Sequence, residues 1–467
     1  MDFGNQNNSD NAQTNAIIMI VVITLLCAVG GYIISLGTPL MFPAQASEEA
    51  KEVDTLFRVL LGISGGLFVF VQGLLLYSVV RYRVRPGDMR DGPTVHGNVT
   101  LELIWTAIPA IIVVALAIYG YSIWTDLREP KNDELVVHGI GQRYAWTFEH
   151  ELPSQIYAGL DAEQQARVDA AEVASSTTLH VYSGRPVSMN LDTQDVIHSF
   201  WVPAMRMKQD LLPGRTTEIR FTPTLAEGEN IETVVVNGIE LQAQQFRVVC
   251  AELCGGGHGQ MYSFVNLYET EEDYLSAMEA LWADVIDPPA DPIARGRQIL
   301  ASGAYPCAGC HTLQAEGIDW TGVTGPALNG VGERAPRRIP GMGSEEYLYR
   351  SIFHPQEYSV PGYTGVVMPQ FQPDDPDGTN YMPTSDVYYI VSYLCSLTES
   401  GESNCDQETL LNVINEDNPD HPVHLEQADT DAEVKDVETT SEAEADDAVE
   451  TESTPEATPD SETTPEA

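Results

Sequence analysis

Residues 250–261 read Cys250-Ala-Glu252-Leu-Cys254-Gly-Gly-Gly-His258-Gly-Gln-Met261. Two thiols, an imidazole and a thioether fall within these twelve residues, directly after the strand-like stretch Phe246–Cys250. Soft sulfur ligands combined with imidazole and thioether select copper over hard cations. Two cysteines four apart on one loop can bridge two metal ions, and Gly255–Gly257 let the backbone wrap around them. A second copper needs one more imidazole. His198, in Asp195-Val-Ile-His198-Ser-Phe-Trp201, is the natural candidate, at the mouth of an earlier strand. A Cys250–Cys254 disulfide is the plain alternative in an oxidising compartment, but it leaves His258, Met261 and the glycines without a reason. Zinc is a second alternative, and Met is a poor zinc ligand.

Around this loop, residues 133–270 alternate in short strand-like stretches: Glu134–Gly139, Tyr144–Phe148, Thr178–Tyr182, Thr217–Thr222, Ile231–Val236 and Phe246–Cys250. Gly, Pro and Asn punctuate them, as in a β-sandwich or barrel. Residues 151–176 read as an insertion, because Asp161–Ala174 has a helical composition. Residues 271–284 form an acidic amphipathic helix, and the Pro-rich stretch 286–292 reads as an extended linker.

Toward the N-terminus lie three long apolar runs, Ile17–Leu36, Val59–Val80 and Leu103–Trp124. Each is long enough for a bilayer core of about 30 Å at roughly 1.5 Å per residue. Gln72 and Gly62–Gly66 interrupt the second run, and small residues of that kind let helices approach closely. The link between runs two and three carries Arg81, Arg83, Arg85 and Arg90, against Lys51 and Arg58 between runs one and two. The arginine-rich turn belongs in the cytoplasm, so everything after Trp124 lies outside. Pro43-Ala44-Gln45-Ala46 resembles a small-residue cleavage site, so residues 1–46 read equally as a removable export signal or as a first transmembrane helix.

The 467 residues are too many for one core. Lys and Arg total 23 against 69 Asp and Glu, a net charge of -46, which excludes a nucleic-acid binder relying on basic patches. Residues 401–467 alone carry 22 acidic side chains and one basic one, Lys435. With few large apolar groups, this stretch is predicted to be a disordered acidic tail.

Past the linker, helical patterns cover Ile293–Ser302, Ser344–Ser351 and Thr384–Leu397. Cys307-Ala-Gly-Cys310-His311 is a c-type haem attachment motif: two thiols add to the porphyrin vinyl groups and the adjacent imidazole reaches the iron. A bare CxxC is equally a redox dithiol or half a zinc site; the following His and the exported location favour haem. The sixth ligand is expected to be a Met, which raises the iron potential. Met342, Met368 and Met382 are the candidates, and Met368, in Pro361-Gly-Tyr-Thr-Gly-Val-Val-Met368-Pro369, is preferred, with Met382 next. His354 reads as a surface imidazole. Cys27 reads as a packing residue in a membrane run, and Cys395 and Cys405 as a candidate disulfide.

At the copper loop the chain resembles cytochrome c oxidase subunit II, whose binuclear CuA site sits in a cupredoxin-like β-sandwich. In that family both sulfurs bridge both coppers, one His and the Met complete one ion, and the other His and the Glu carbonyl complete its partner. The resemblance therefore implies His198 with Met261, and His258 with the Glu252 carbonyl, and it implicates the Glu252 carboxylate in a Mg ion at the contact with subunit I. His96-Gly-Asn98…Leu101-Glu102-Leu-Ile-Trp105-Thr-Ala-Ile-Pro109 resembles the start of the family's second core helix, where the Glu lies near a proton path into subunit I. A carboxylate at a helix N-terminus is equally explained by the helix dipole. Trp201-Val-Pro203 and Met207-Lys208-Gln-Asp210-Leu-Leu-Pro213-Gly214 also fit, and the match covers roughly residues 50–275 outside the insertion. One position departs: Tyr144 stands where the family usually presents the Trp that receives electrons from a soluble cytochrome c, while Trp146 is retained.

Near the haem motif, Met368-Pro369 resembles the distal loop of class I cytochromes c, and Gly325-Pro326-Ala-Leu328-Asn-Gly330 the loop bracing their proximal His. A CuA domain fused to such a module resembles subunit II of caa3-type oxidases. The resemblance implies an electron-input subunit of a proton-pumping terminal oxidase. Electrons from an unidentified donor pass through one haem c and CuA to haem a of subunit I, whose haem a3 and CuB reduce dioxygen. Subunit III and membrane lipid are further implied partners, in the plasma membrane of a prokaryote, with the copper and haem modules extracytoplasmic. A link over 285–292 would allow a tethered encounter at an effective concentration around the millimolar range. An electron-input subunit of a CuA-containing nitric oxide reductase is the alternative; a copper store and a quinol oxidase subunit are disfavoured. The expected division is 1–46, a transmembrane hairpin in 47–130 (59–80 and 103–124), the CuA domain 131–280, linker 281–292, an all-α cytochrome c domain 293–400 and the tail 401–467.

Overall fold

The computed structural model describes residues 6–83, 87, 97–363, 367–374 and 380–423. Arg85, Arg90 and His96, and the acidic chain from residue 424 onward, lie outside the described residues. Three helices, α1 (Gln6–Ser35), α2 (Glu48–Tyr82) and α3 (Val99–Asp126), each contain a span long and apolar enough to cross a bilayer. Helix α2 has 35 residues, about 52 Å at about 1.5 Å per residue, well beyond one hydrocarbon core of about 30 Å. Its first turns therefore stand above the lipid. They begin where Ser47 caps them, its Oγ accepting from the Ala50 amide at 3.1 Å, with Glu48 and Glu49 favouring the dipole. Helices α1 and α2 cross tightly at Gly31, where a Cβ would lie 2.3 Å from the Gly62 carbonyl oxygen.

The connection between α1 and α2 is woven into the extracytoplasmic domain. Ala46 donates from its amide to the Ala204 carbonyl (2.9 Å) and accepts from the Thr224 amide (3.0 Å). Ser47 Oγ donates to the Met205 carbonyl at 2.9 Å, and both Ala46 and Ser47 are fully buried. Arg206 pairs with Asp54 of α2 through Nε (2.8 Å) and Nη2 (2.9 Å), donates to the Pro43 carbonyl at 2.8 Å, and lies over the Phe42 ring. Of the stretch that resembles a cleavage site, Ala46 is buried, Ala44 and Gln45 are half-buried and Pro43 is exposed.

Eleven strands follow: β1 (Leu135–Gln142), β2 (Ala145–His150), β3 (Ala174–Ser176), β4 (Leu179–Tyr182), β5 (Val187–Thr193), β6 (His198–Val202), β7 (Met207–Leu211), β8 (Thr217–Phe221), β9 (Glu232–Val236), β10 (Ile239–Cys250) and β11 (Tyr262–Tyr268). One sheet runs β3-β2-β1-β5-β8 and the other β4-β11-β10-β6-β7, with β9 paired to β10. Their inner faces enclose Val137, Trp146, Phe148, Met189, Leu191, Phe200, Val248 and Val265, all nearly inaccessible, which makes a β-sandwich. Two short helices, α4 (Ser154–Tyr157) and α5 (Ala162–Ala171), occupy the insertion between β2 and β3, with an Asp161–Gln164 capping box opening α5.

Helix α6 (Glu271–Ile286) continues past the predicted end of its pattern, and α7 (Pro292–Ser302) opens at the proline, capped by Asp291. Only residues 287–291 separate them, five residues against the seven of the Pro-rich stretch 286–292 read as the extended linker. The following module is docked on the sandwich. Arg295 Nη1 donates to the Asp284 carbonyl (2.8 Å), Thr147 Oγ1 to the Gly303 carbonyl (3.1 Å), and Tyr262 Oη meets Thr321 Oγ1 at 3.1 Å.

That module contains the hairpin β12 (Thr312–Ala315) and β13 (Ile318–Thr321), then α8 (Val331–Arg334), α9 (Ser344–Phe353), α10 (Thr384–Ser396) and α11 (Gln407–Asp417). The hairpin departs from the expected all-helical make-up; Ala315 pairs with Ile318 across a two-residue turn that places Gly317 at φ +75°. Helices α7 and α10 touch at Gly296, where a Cβ would meet the Tyr389 carbonyl oxygen at 1.9 Å. The predicted tail from residue 401 also needs correction through residue 423. Helix α11 buries Leu410 and Ile414 completely against the module's core, and a Cys395–Cys405 disulfide holds its approach. His354 pairs with Asp417 of α11 (2.6 Å), as a surface imidazole would.

Candidate functional site: a cysteine-histidine cluster beside an apolar cavity

Strands β6 and β10 run side by side, with Phe200 opposite Cys250 and Trp201 opposite Val249. The start of β6 and the end of β10 therefore meet, which brings His198 to Cys250 across 52 residues of chain. The loop after β10 then folds back to β11. Cys250 Sγ stands 3.9 Å from Cys254 Sγ, 3.8 Å from His198 Nδ1 and 3.2 Å from the Glu252 carbonyl oxygen. Cys254 Sγ stands 3.6 Å from His258 Nδ1 and 3.8 Å from Met261 Sδ. All six groups singled out in the sequence converge. The two cysteines are free, not disulfide-bonded.

The donor set fits copper on two grounds. Asp195 Oδ1 lies 2.8 Å from His198 Nε2, so that nitrogen carries the proton and the Nδ1 lone pair faces the sulfurs. Burial would depress the His198 pKa, but the Asp195 bond outweighs it; burial likewise works against the charge on Asp195, whose bonds to His198, Arg143 and Val196 nevertheless hold it well below the usual carboxylate range. The two thiols also split. Burial pushes both up, yet the neighbouring His198 and backbone groups draw Cys250 down, while Cys250 beside it pushes Cys254 further up. Two thiolates this close ionise together only around cations.

The glycines have a more specific reason than wrapping. A Cβ on Gly257 would lie 2.4 Å from Tyr144 Cδ2, so the loop is packed flat against that ring. On its other side Tyr144 meets the haem motif: a Cβ on Gly309 would lie 2.5 Å from the Tyr144 amide nitrogen. The residue that departs from the family's Trp thus fills the seam between the two modules.

Within the C-terminal module, Cys307, Cys310, His311 and Met368 line one cavity with Pro306, Leu328, Tyr347, Ile352, Phe371 and Leu394. His311 Nδ1 donates to the Pro326 carbonyl at 2.7 Å, which leaves Nε2 as the lone-pair donor, and burial keeps the ring neutral by lowering its pKa. Gly325 packs on that ring, where a Cβ would come within 2.8 Å. Met382 is 1% exposed in the hydrophobic core and, like Met342, is not among the residues lining the cavity.

Sequence reasoning missed Asp195 and Arg143 as supports, whereas the Pro326 carbonyl lies in the 325–330 loop read as bracing His311. Asp195, three residues before His198, was the one legible signal. Glu102 Oε1 accepts from the Asn98 amide (3.1 Å), while Asn98 Oδ1 caps the Leu101 amide, so this carboxylate closes the start of α3. Glu252 is exposed, as is Leu253 beside it.

A β-sandwich on membrane helices, with two thiolates, two imidazoles, a thioether and a carbonyl at one end, defines a membrane-anchored copper electron-transfer protein. Residues 35–123 match the family profile "Cytochrome C oxidase subunit II, transmembrane domain" and residues 135–267 "Cytochrome C oxidase subunit II, periplasmic domain". Cytochrome c oxidase subunit 2 of Synechocystis sp. is 33% identical over 289 residues, 55% of this chain and 82% of the relative. That of Thermostichus vulcanus is 34% identical over 297 residues (56% and 85%), and that of Alkalihalophilus pseudofirmus 29% identical over 339 (70% and 82%). The chain belongs to the cytochrome c oxidase subunit II family. It is a subunit of an oxidoreductase complex, with a periplasmic CuA domain that brings electrons into a terminal oxidase and with subunit I as its partner.

Proposed function

We propose that this chain carries a covalently bound haem c as well as CuA, the arrangement of a caa3-type oxidase. Electrons from a donor would run through that haem and the copper pair to haem a of subunit I, where dioxygen becomes water. The observation that carries the reading is the shared cavity of Cys307, Cys310, His311 and Met368, with His311 turned by the Pro326 carbonyl so that Nε2 is free for iron. Length of match adds support: a relative aligned over 70% of the 467 residues extends past Cys307–His311 wherever the alignment begins.

In this reading Cys307 and Cys310 anchor the porphyrin, His311 is the proximal ligand and Met368 the distal one. Cys250, Cys254, His198, Met261, His258 and the Glu252 carbonyl would hold the copper pair, with His198 and Met261 assigned to one ion and His258 and the Glu252 carbonyl to the other. The Glu252 carboxylate, which is exposed, would take Mg at the subunit I contact. The short 287–291 connection and the Tyr144 seam favour fixed docking of the two modules over a swinging tether. Residues 42–47 favour a retained α1, giving a three-helix anchor in a prokaryotic plasma membrane with lipid and subunit III around it. The assignment is tested by isolating the complex and resolving its subunits under denaturing conditions. A haem-staining band at this subunit, lost in Cys307→Ser, is expected together with a mixed-valence copper resonance. A subunit with no covalent porphyrin refutes it.

A further inference from the structure

The tip of the β1–β2 hairpin belongs to both sites at once. The amide and Nε of Arg143 both donate to Asp195 Oδ2, at 3.0 and 2.9 Å. The other oxygen of Asp195 accepts from His198 Nε2 at 2.8 Å, and His198 Nδ1 faces Cys250 Sγ at 3.8 Å. Arg143 also forms part of the wall of the cavity that holds Cys307, Cys310, His311 and Met368. Its Nη groups have no hydrogen-bond partner among the described residues, and its side chain is 47% exposed. An ion pair this open contributes little as a surface salt bridge.

We infer that Arg143 is a positioning residue common to both redox sites. Toward the copper it divides the two oxygens of Asp195. One oxygen is pinned by Arg143, so the other is turned to His198 Nε2–H, where it also accepts from the Val196 amide at 2.6 Å and the Thr193 hydroxyl at 3.5 Å. Toward the haem cavity it contributes a fixed positive charge carried by the neighbouring domain, which favours the form of the iron holding one more electron. The first role rests on the copper reading and the second on the proposed haem. Lysine would keep the charge but lacks the planar fork whose Nε–H meets Asp195, so the two roles separate chemically. Arg338, which lines the same cavity, has no hydrogen bond to Asp195 among the described residues and supplies a control.

The test uses the purified oxidase complex carrying the full-length chain with Arg143→Gln, Arg143→Lys or Arg338→Gln. The readouts are the histidine hyperfine pattern of the copper resonance and a redox titration of the haem. Arg143→Gln is expected to change the copper pattern and to move the haem equilibrium about threefold to tenfold toward the oxidised form, where tenfold is about 59 mV for one electron. Arg143→Lys should return the haem equilibrium and leave the copper pattern altered, while Arg338→Gln moves the haem alone. Arg143→Gln leaving either signal at the wild-type value overturns the shared role, as does Arg143→Lys restoring both. Should Arg143→Gln fail to assemble with normal metal and haem content, the split in Arg143→Lys decides. Absence of haem from the wild type would refute the proposed function separately, with the copper readout still judging the Asp195 contact.

Discussion

The carboxylate of Asp195 lies 2.8 Å from Nε2 of His198, and that contact determines which ring nitrogen meets the sulfur of Cys250. A carboxylate only accepts, so Nε2 holds the proton and Nδ1 is left to bind metal. Asp195→Asn keeps the shape and removes the charge that makes the imidazole a better donor. Loss of such a support typically weakens metal binding by about 10–100-fold. Chelator competition against the purified complex should show copper leaving the variant at correspondingly lower chelator concentration, with haem content unchanged. Equal retention in both proteins would mean that Asp195 does not orient His198.

The copper ligands were readable because five of the six lie on one loop, where residue type and spacing are contiguous information. Their supports were not. Arg143 and Asp195 are 52 positions apart and meet only because β1 and β5 pair in parallel, with Gly141 opposite Thr193. Strand β6 was equally hidden: His198, Ser199, Phe200 and Val202 are all buried and only Trp201 is partly exposed, so no two-residue alternation marks it. Helix α11 escaped for the opposite reason. Leu410, Leu411 and Ile414 sit at helical spacing inside a strongly acidic stretch, and composition averaged over that stretch masks the stripe.

If the proposed haem c is present, distal ligation separates Met368 from its rivals. Met368 lines the cavity opposite a loop in which Gln356 Nε2 donates to the Met368 carbonyl at 3.1 Å, whereas Met382 is a core residue. Met368→Ala should lower the haem potential by removing the thioether that favours the reduced iron. Met382→Ala should instead lower the melting temperature, with a cost of about 2–5 kcal/mol for a buried Met truncated to Ala. A potential unchanged in Met368→Ala but lowered in Met382→Ala would reverse the assignment.

Arg206 and Asp54 tie the sandwich to the top of α2, with side chains only 5% and 9% exposed. Removing one member leaves the other charge buried and unpaired, at a cost of about 3–5 kcal/mol. Arg206→Ala should therefore lower the melting temperature of the complex sharply. The double variant Asp54→Ala with Arg206→Ala should recover part of that loss, because neither charge is then stranded. The same packing predicts that residues 42–47 are kept in the mature protein, so the intact mass of the subunit should include the chain before Ser47. A mature subunit beginning at Ser47 would contradict the buried position of that residue.

His138 is held between two carboxylates, its Nδ1 2.8 Å from Glu149 Oε2 and its Nε2 2.9 Å from Asp192 Oδ2. A neutral imidazole has one N–H, so both contacts are favourable only in the charged form. The hydrogen bond to Glu149 is the largest influence; burial opposes it, and Asp192 adds to it, with the net result that the pKa is raised. The sign follows by linkage. A folded-state pKa above the unfolded value of about 6.5 gives stability that is complete below about pH 6.5 and is lost as pH rises through the folded value. With the side chain 38% exposed, the gain is screened and should not exceed about 1 kcal/mol, or roughly 2–4 °C. Melting curves of wild type and His138→Gln should thus be separated at pH 6 and converge toward pH 9. A separation that stays constant or widens with rising pH would show that His138 is not stabilised as an imidazolium by these two partners.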